Sequence, residues 1–313
     1  MEHGSGRARR ELTADEIAWL SGKDVAEPTP LAPPRASRTS RRGLLLGTLG
    51  VGAAGASAWA LSGAGDAPAI DALSGGGLPG SGSGADDGPH ATCADPSTLK
   101  KAGRIGSAAL VYEIDERPRP MSFDAGFHAQ LSAWLADWNA TSRHGGVKQI
   151  WSYGAWVAKD ECHSWHANGR AFDIAHLMAG DDVLVSCRTD LWGQVAPARR
   201  RALEKGYWAL AASLHLHFAH VLTHHFDELH RNHIHVDNGI SGAGMSSFDP
   251  SSRVQNQAVQ AICASLWGQD GAVTGEWSDA RRQVAPVLSR LGVTDLRRQK
   301  TWQSFLRSSV RRG

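Results

Sequence analysis

Apolar residues recur at helical spacing along two long segments of the chain. In the first they fall three or four positions apart, at Phe123, Phe127, Leu131, Trp134, Leu135 and Trp138. The second begins at Pro197 and continues through Leu203, Tyr207, Leu210, Leu214, Phe218 and Val221. This spacing puts the apolar side chains on one face of a helix, and proline suits a first helical turn. The pattern therefore predicts helices over 123–138 and 197–221.

Four shorter segments have the composition or the alternation of β-strands. They are Val147–Val157, Arg170–Ala175, Val183–Cys187 and His233–Asp237. These strands and the two helices follow one another without strict alternation. The order predicts an α+β domain, with a small antiparallel or mixed sheet, over residues 93–250.

The last part of the chain, 251–313, returns to helical spacing. Apolar stripes run through Val254–Trp267, Val284–Leu291 and Trp302–Val310, and a glycine-rich turn separates the first two. The pattern predicts a small all-α unit after the α+β domain.

The first 92 residues have the character of an export signal and a tether. Arg41 and Arg42 precede a mild apolar run that ends at Leu61, which is typical of a twin-arginine signal over 1–65. A chance arginine pair before a membrane helix is the alternative. Ala56-Ser57-Ala58 fits a cleavage site, whereas the run is also long enough for an uncleaved anchor. Residues 66–92 are rich in Gly, Ser, Ala and Asp, so we expect a flexible linker there.

Charge and cysteine content narrow the function classes. The formal net charge of +2 argues against a nucleic-acid binder, which usually has a strongly basic face. All four cysteines lie in the part expected to be exported, where an even number favours two disulfides. The pairing Cys162–Cys187 with Cys93–Cys263 closes one short and one long loop, and it is our expectation, although spacing alone does not fix the connectivity.

Candidate chemistry is concentrated in two short segments. The first contains His166 and Asp173, and the second runs from His230 through His233 to His235. Alternate residues of a strand share a face, so His233 and His235 can point into one cleft, where Asp173 and His166 can join them. Two imidazoles and one carboxylate form a three-ligand zinc set with one coordination position left open. Histidines more often pack in a core, but H-x6-D followed by H-x2-H-x-H is a more specific pattern than a lone H-x-H.

A second group of histidines precedes this segment. It comprises His215, His217, His220, His224 and His225. A second metal site is one interpretation of the group, and ordinary core or helix-end histidines are the other. A further alternative function for this chain is metal storage, and a histidine-rich storage protein would bind several ions per chain.

The first segment resembles a known family of zinc peptidases. Ser164-x-His166-x-x-Gly169-x-Ala171-x-Asp173, with the downstream H-x-H, is similar to the D-Ala-D-Ala carboxypeptidase, VanX dipeptidase and murein endopeptidase group, and more closely to the bacterial extensin-like C-terminal domain. The resemblance covers about residues 100–240. It implies one Zn²⁺ per chain, held by His166, Asp173 and His235.

The resemblance also implies the catalytic groups. Many members carry a catalytic Glu three residues before the last ligand, where this chain has Asn232. Murein endopeptidases carry an additional His five residues before that ligand, which makes His230 the candidate base and His233 an orienting or transition-state group. The family carries a basic residue before the first motif, and Lys159 stands at the corresponding position, with an ordinary surface lysine as the alternative. Segment 251–313 is similar to peptidoglycan-binding helical modules, with a helical extension of the catalytic domain as the alternative.

These patterns predict an exported zinc metallopeptidase that hydrolyses peptidoglycan peptides. It would be extracellular, periplasmic or wall-associated, and it would meet the membrane only through an uncleaved N-terminal anchor. The alternative is a non-catalytic wall-binding protein with a structural or degenerate metal site, because Asn232 cannot act as a base.

Overall fold

The fold is α+β, with a mixed sheet and a set of C-terminal helices. A computed structural model describes residues 93–158, 164–239 and 242–313. The strands are β1 (Lys100–Ala102), β2 (Arg104–Ile105), β3 (Ala108–Tyr112), β4 (Arg117–Pro118), β5 (Met121–Phe123), β6 (Gln149–Gly154), β7 (Ala171–Ala179), β8 (Asp182–Ser186), β9 (His220–Leu222) and β10 (Ile234–Asp237). The helices are α1 (Ala125–Thr141), α2 (Pro197–His217), α3 (Arg253–Trp267), α4 (Trp277–Arg290) and α5 (Gln299–Val310).

Eight of these strands form one sheet. Its order is β2-β3-β6-β7-β10-β9, with β4 paired to β3 and β8 paired to β7, and β1 pairs separately with β5. Among the strands that the structure describes, only β3 and β6 run parallel to each other, and the crossover between them contains α1. Strands β7 and β10 are antiparallel neighbours inside the sheet and carry the two sequence segments with the candidate ligands.

Helix α1 begins where the sequence provides a cap. The Asp124 side chain accepts a hydrogen bond from the Phe127 backbone N–H at 2.9 Å. Five residues of the predicted stripe lie on the buried face of this helix, and Phe123 belongs to β5: Phe127, Leu131, Trp134, Leu135 and Trp138. The prediction of one buried face is therefore confirmed.

Helix α2 is shorter than its apolar spacing predicts. It begins at Pro197 as expected but ends at His217, because Phe218 adopts an extended backbone conformation. Val221 then lies on β9, so the predicted helical end at Val221 is wrong. A strand that follows a helix closely can continue the helix's apolar spacing by coincidence, because a two- or three-residue strand has too few positions to show its own period.

The three C-terminal helices form as predicted and pack against the rest of the molecule. Their apolar side chains belong to the same buried cluster as those of the sheet and of α2. On α5, Trp302 donates from Nε1 to Ser246 Oγ at 2.9 Å, and Arg307 lies 2.9 Å from Asp137 of α1. The core of the C-terminal helices is therefore continuous with that of the α+β domain.

Both expected disulfide pairings are wrong. Cys187 and Cys263 are free and buried, whereas Cys93 is disulfide-bonded and Cys162 lies outside the described residues. Burial raises the pKa of both free thiols, that of Cys263 to about 12, which keeps them protonated and unreactive. Loop length in the sequence carries no information on which side chains meet in the core.

The predicted export signal and linker, 1–65 and 66–92, also lie outside the described residues. Among the helices that the structure describes, none combines the length and the apolarity needed to cross a bilayer.

Candidate metal centre

His166 lies on a short 3₁₀ turn, Trp165–Asn168, just before β7. The Ser164 side chain caps this turn by accepting from the His166 backbone N–H at 3.2 Å. Gly169 ends it in a left-handed conformation with φ of 66°. The serine and the glycine of the S-x-H-x-x-G motif thus shape the turn that presents the histidine.

Asp173 and His235 face each other across two antiparallel strands. They are direct cross-strand partners on β7 and β10, so their side chains lie on the same face of the sheet. Asp237 shares that face because it lies two residues after His235 on β10, and His233, just before β10, also reaches it, with Nε2 3.6 Å from Asp173 Oδ1. The sheet register therefore brings the second motif against the first.

Three buried side chains meet at this point. His166 Nε2 lies 3.3 Å from Asp173 Oδ2 and 3.2 Å from His235 Nδ1, and His235 Nδ1 lies 2.9 Å from Asp173 Oδ1. One ligand atom from each of the three residues lies within 4.8 Å of the others, and this buried group could hold a metal ion. The structure thus brings together the three residues predicted as ligands.

The outer nitrogen of each imidazole faces an acceptor. The Nδ1–H of His166 donates to the carbonyl oxygen of Ala155, which leaves the lone pair on Nε2 facing the site. His235 Nε2 lies 3.5 Å from Asp237 Oδ2, and Nδ1 is its inward-facing atom. Such outer partners fix the tautomer and the orientation of metal-binding histidines.

His230 and His233 lie beside this group. The Nδ1 of His230 donates to Asp227 Oδ1 at 2.6 Å, and the His230 ring lies 5.1 Å from that of His233 and 5.9 Å from that of His235, between centroids. His233 Nδ1 donates to Asn232 Oδ1 at 2.7 Å, and its Nε2 lies 3.6 Å from Asp173 Oδ1. Each ring therefore has its Nε2 as the nitrogen with the lone pair.

The electrostatics favour an ionised carboxylate at Asp173 and neutral rings at His230 and His233. Although burial alone would raise it, the pKa of Asp173 is held well below its ordinary value by His166 and His233. Burial lowers the pKa of His233 to about 4, and burial with the nearby His235 lowers the pKa of His230. Neutral imidazole and ionised carboxylate are the forms that bind metals.

The two arginines that the structure describes near the site are bound to other groups, and the role predicted for Lys159 is not tested. Lys159 lies outside the described residues. Arg170 donates to the Asn238 carbonyl at 2.7 Å and to the Gly239 carbonyl at 3.2 Å, so it ties the start of β7 to the loop after β10. Arg188 is bound to Asp190 and lies 3.3 Å from Glu113 Oε1.

The remaining histidines are scattered over the fold. His217 pairs with Asp137 at 3.2 Å, and His176 lies 3.3 Å from Glu113. His224 and His225 pack among aromatic rings, with His225 stacked on Trp208. Across the described ranges, His166, Asp173 and His235 are the one group of three or more such side chains close enough to share an ion.

Sequence reasoning missed the partners that orient these rings. Asp227 is three residues before His230, a spacing that brings two side chains together in a helical turn. Asp237 is two residues after His235, and the same alternation that linked His233 to His235 predicts this placement. Tyr153, at an irregularity of β6, packs its ring 5.8 Å from that of His233, and no sequence pattern marks it.

No protein-family model matches this chain, and neither a curated protein nor a solved structure is significantly similar to it.

Proposed function

We propose that this chain is an exported zinc peptidase that hydrolyses amide bonds in peptidoglycan peptides. The observation that carries the proposal is the meeting of His166, Asp173 and His235 with the Asp227–His230 pair beside them. The resemblance of the first motif to D-Ala-D-Ala carboxypeptidases and murein endopeptidases supports peptidoglycan peptides as the substrate. Arg41-Arg42 supports export, and the disulfide at Cys93 supports an oxidising compartment.

The spacing of the ligand atoms fits zinc. Zinc bonds of about 2.0–2.1 Å in tetrahedral coordination place two ligand atoms about 3.3 Å apart. In this site the two ligand nitrogens lie 3.2 Å apart, and each lies close to a different oxygen of Asp173, His166 Nε2 at 3.3 Å from Oδ2 and His235 Nδ1 at 2.9 Å from Oδ1. Two imidazole nitrogens and one carboxylate oxygen are also a common ligand set for zinc enzymes. When bound, zinc would act as a Lewis acid that polarises the scissile carbonyl and lowers the pKa of water.

His230 is the group that moves the proton. Because its Nδ1–H donates to Asp227, Nε2 carries the lone pair and can accept a proton from the attacking water. The same nitrogen then returns the proton to the amine that leaves when the amide bond breaks. Asp227 keeps the ring in this tautomer and stabilises its protonated form, as the carboxylate of a Ser-His-Asp triad does for its histidine.

His233 has an orienting role in the site, not that of a hydrogen-bond donor to the transition state. Its Nδ1–H is committed to Asn232, so Nε2 of the neutral ring is an acceptor and cannot donate to a developing oxyanion. Of the two roles predicted for His233, the orienting one therefore fits the geometry. Lys159, the basic residue implied by the resemblance, remains the proposed donor to the oxyanion.

Zinc analysis and hydrolysis of cross-linked muropeptides test this proposal together. We expect one zinc per chain, its loss in His166→Ala, and new peptide fragments by mass spectrometry. General acid–base groups contribute about 10²–10⁴-fold, so His230→Ala should lower kcat by that factor and keep its zinc. His217→Gln removes a comparable buried His–Asp pair outside the site and is the matched control.

The second candidate is a wall-binding protein with a structural metal. Asn232 favours it, because this residue stands where many members of the similar family carry their catalytic Glu and is bound to His233 instead. Zinc-loaded protein that binds peptidoglycan but leaves muropeptides intact at every pH would favour this candidate. Several zinc ions per chain would favour metal storage and contradict both.

A further inference from the structure

A chain of three polar side chains connects the metal centre to the surface. His235 Nε2 lies 3.5 Å from Asp237 Oδ2, and Asp237 Oδ1 lies 3.7 Å from His220 Nδ1. The Asp237 side chain is 5% exposed, whereas that of His220 is 34% exposed. The strand register accounts for the arrangement, because Asp237 and His220 are direct partners on β10 and β9.

We propose that Asp237, supported by His220, is a positioning residue that makes Nδ1 of His235 the metal-binding atom. The inference rests on the proposed function, since it assigns the residue that orients one ligand of that site. An imidazole binds a metal through one nitrogen only when the proton is on the other. Asp173 Oδ1 lies 2.9 Å from Nδ1, but it would bind the metal together with that nitrogen and would then accept no proton from it. The buried Asp237 carboxylate beside Nε2 stabilises the proton there, which leaves the lone pair on Nδ1.

The two imidazole ligands differ in how they are held. His166 would bind the metal through Nε2, and its ring is oriented by a backbone carbonyl, which no side-chain substitution removes. His235 presents Nδ1, the nitrogen next to its own main chain, and it is oriented by a side chain. The His235 ligand is therefore the one whose orientation a single substitution can change.

Asp237 also has a structural contact, which the test must separate from its action on the ring. Its Oδ1 accepts from the Gly239 backbone N–H at 3.0 Å, in the loop that Arg170 binds. Asp237→Asn loses the charge and keeps one oxygen, which can accept from the Gly239 backbone N–H or from the Nε2–H of His235 but not from both. Asp237→Ala removes both. Comparing the two variants therefore separates the effect of losing the charge beside His235 from the effect of losing the whole carboxyl group.

Zinc affinity, measured by competition with a chromophoric chelator, is the first readout. Outer partners of metal-binding histidines contribute about 10–100-fold to affinity, so Asp237→Ala should bind zinc 10–100-fold more weakly. Asp237→Asn and His220→Gln should lose less, and His217→Gln, from a His–Asp pair outside the site, should bind like the original protein. Wild-type affinity in Asp237→Ala would overturn the inference.

Nitrogen-15 NMR of the histidine rings is the second readout, and it does not depend on whether Asp237→Ala folds. In the zinc-loaded protein the ring proton of His235 should be on Nε2 and should exchange slowly with water. The exchange should become at least tenfold faster in Asp237→Asn and faster in His220→Gln. A proton on Nδ1, or exchange unchanged in both variants, would contradict the assignment.

The two proposals fail in distinguishable ways. A protein that binds no divalent metal at the His166 site fails the proposed function, and the inference fails with it. A protein that binds zinc and hydrolyses muropeptides, but in which Asp237→Ala changes neither affinity nor the tautomer, fails the inference alone.

Discussion

Replacing Gly169 by alanine should destabilise the protein through two separate effects. Gly169 has φ of 66°, a left-handed conformation that alanine adopts at a cost of about 1–2 kcal/mol. An added Cβ would also lie 2.8 Å from the Asp124 backbone nitrogen and 2.9 Å from Leu99 Cδ2. Asp124 N donates to the Gly169 carbonyl, so these two segments cannot separate without losing that hydrogen bond.

Gly180 offers a matched control for the conformational effect. Its φ is 67°, nearly that of Gly169, but an added Cβ would meet no atom within 4 Å. Gly180→Ala should therefore lower the free energy of unfolding by about 1–2 kcal/mol, because only the left-handed backbone conformation contributes. Forcing an extra methyl group against packed atoms adds about 1–3 kcal/mol, so Gly169→Ala should cost about 2–5 kcal/mol.

Urea unfolding followed by circular dichroism measures both values. With a slope of about 2 kcal/mol/M, a loss of 3 kcal/mol lowers the unfolding midpoint by about 1.5 M, and a loss of 1 kcal/mol lowers it by about 0.5 M. Because Gly169 ends the turn that carries His166, its alanine variant should also bind zinc more weakly than Gly180→Ala does. Equal midpoints for the two variants would refute the close-approach argument.

Two further predictions concern buried polar groups. Burial, together with His220, lowers the pKa of His215 from 6.5 to about 3, so the unfolded chain takes up a proton below pH 6.5 that the folded protein does not. Stability is therefore lost as the pH falls, and His215→Leu should gain about 2 kcal/mol relative to wild type between pH 7 and pH 5 in urea titrations; a pH-independent difference would contradict this. Trp134 donates from Nε1 to Ser213 Oγ at 3.0 Å inside the core, so Ser213→Ala should lower the free energy of unfolding by about 1–3 kcal/mol. Ser308→Ala, on the outer side of α5, should change it by less than about 0.5 kcal/mol, and similar losses in both variants would count against the role of the Trp134 bond.

The sequence predicts those parts of the fold whose periodicity is long enough to be distinctive. Helix α1 shows its buried stripe over five residues, and the strand predicted over His233–Asp237 forms from Ile234 onwards. The short strands β1–β5 contain two to five residues each, which is too few for a distinctive pattern, so none of them is predicted from the sequence. Their pairing depends on partners distant in the chain.

The sequence predicts the three ligands of the candidate site but not the groups that orient them. His166, Asp173 and His235 carry an unusual spacing, whereas the Ala155 carbonyl that orients His166 is a backbone atom and leaves no mark on the sequence. Asp227 and Asp237 are ordinary acidic residues until the fold shows which rings they face. The predicted cysteine pairing is wrong for the same reason, because pairing depends on distances between side chains that only the folded structure determines.

The packing of α5 against α2 has a consequence for synthesis of the protein. About 80 residues separate the end of α2 at His217 from the start of α5 at Gln299. At about 5–20 residues per second, a ribosome needs roughly 4–16 s to add them. During that interval the apolar surface that Trp302 and Phe305 later cover is exposed on the nascent chain, which makes it a target for chaperones until α5 has been synthesised.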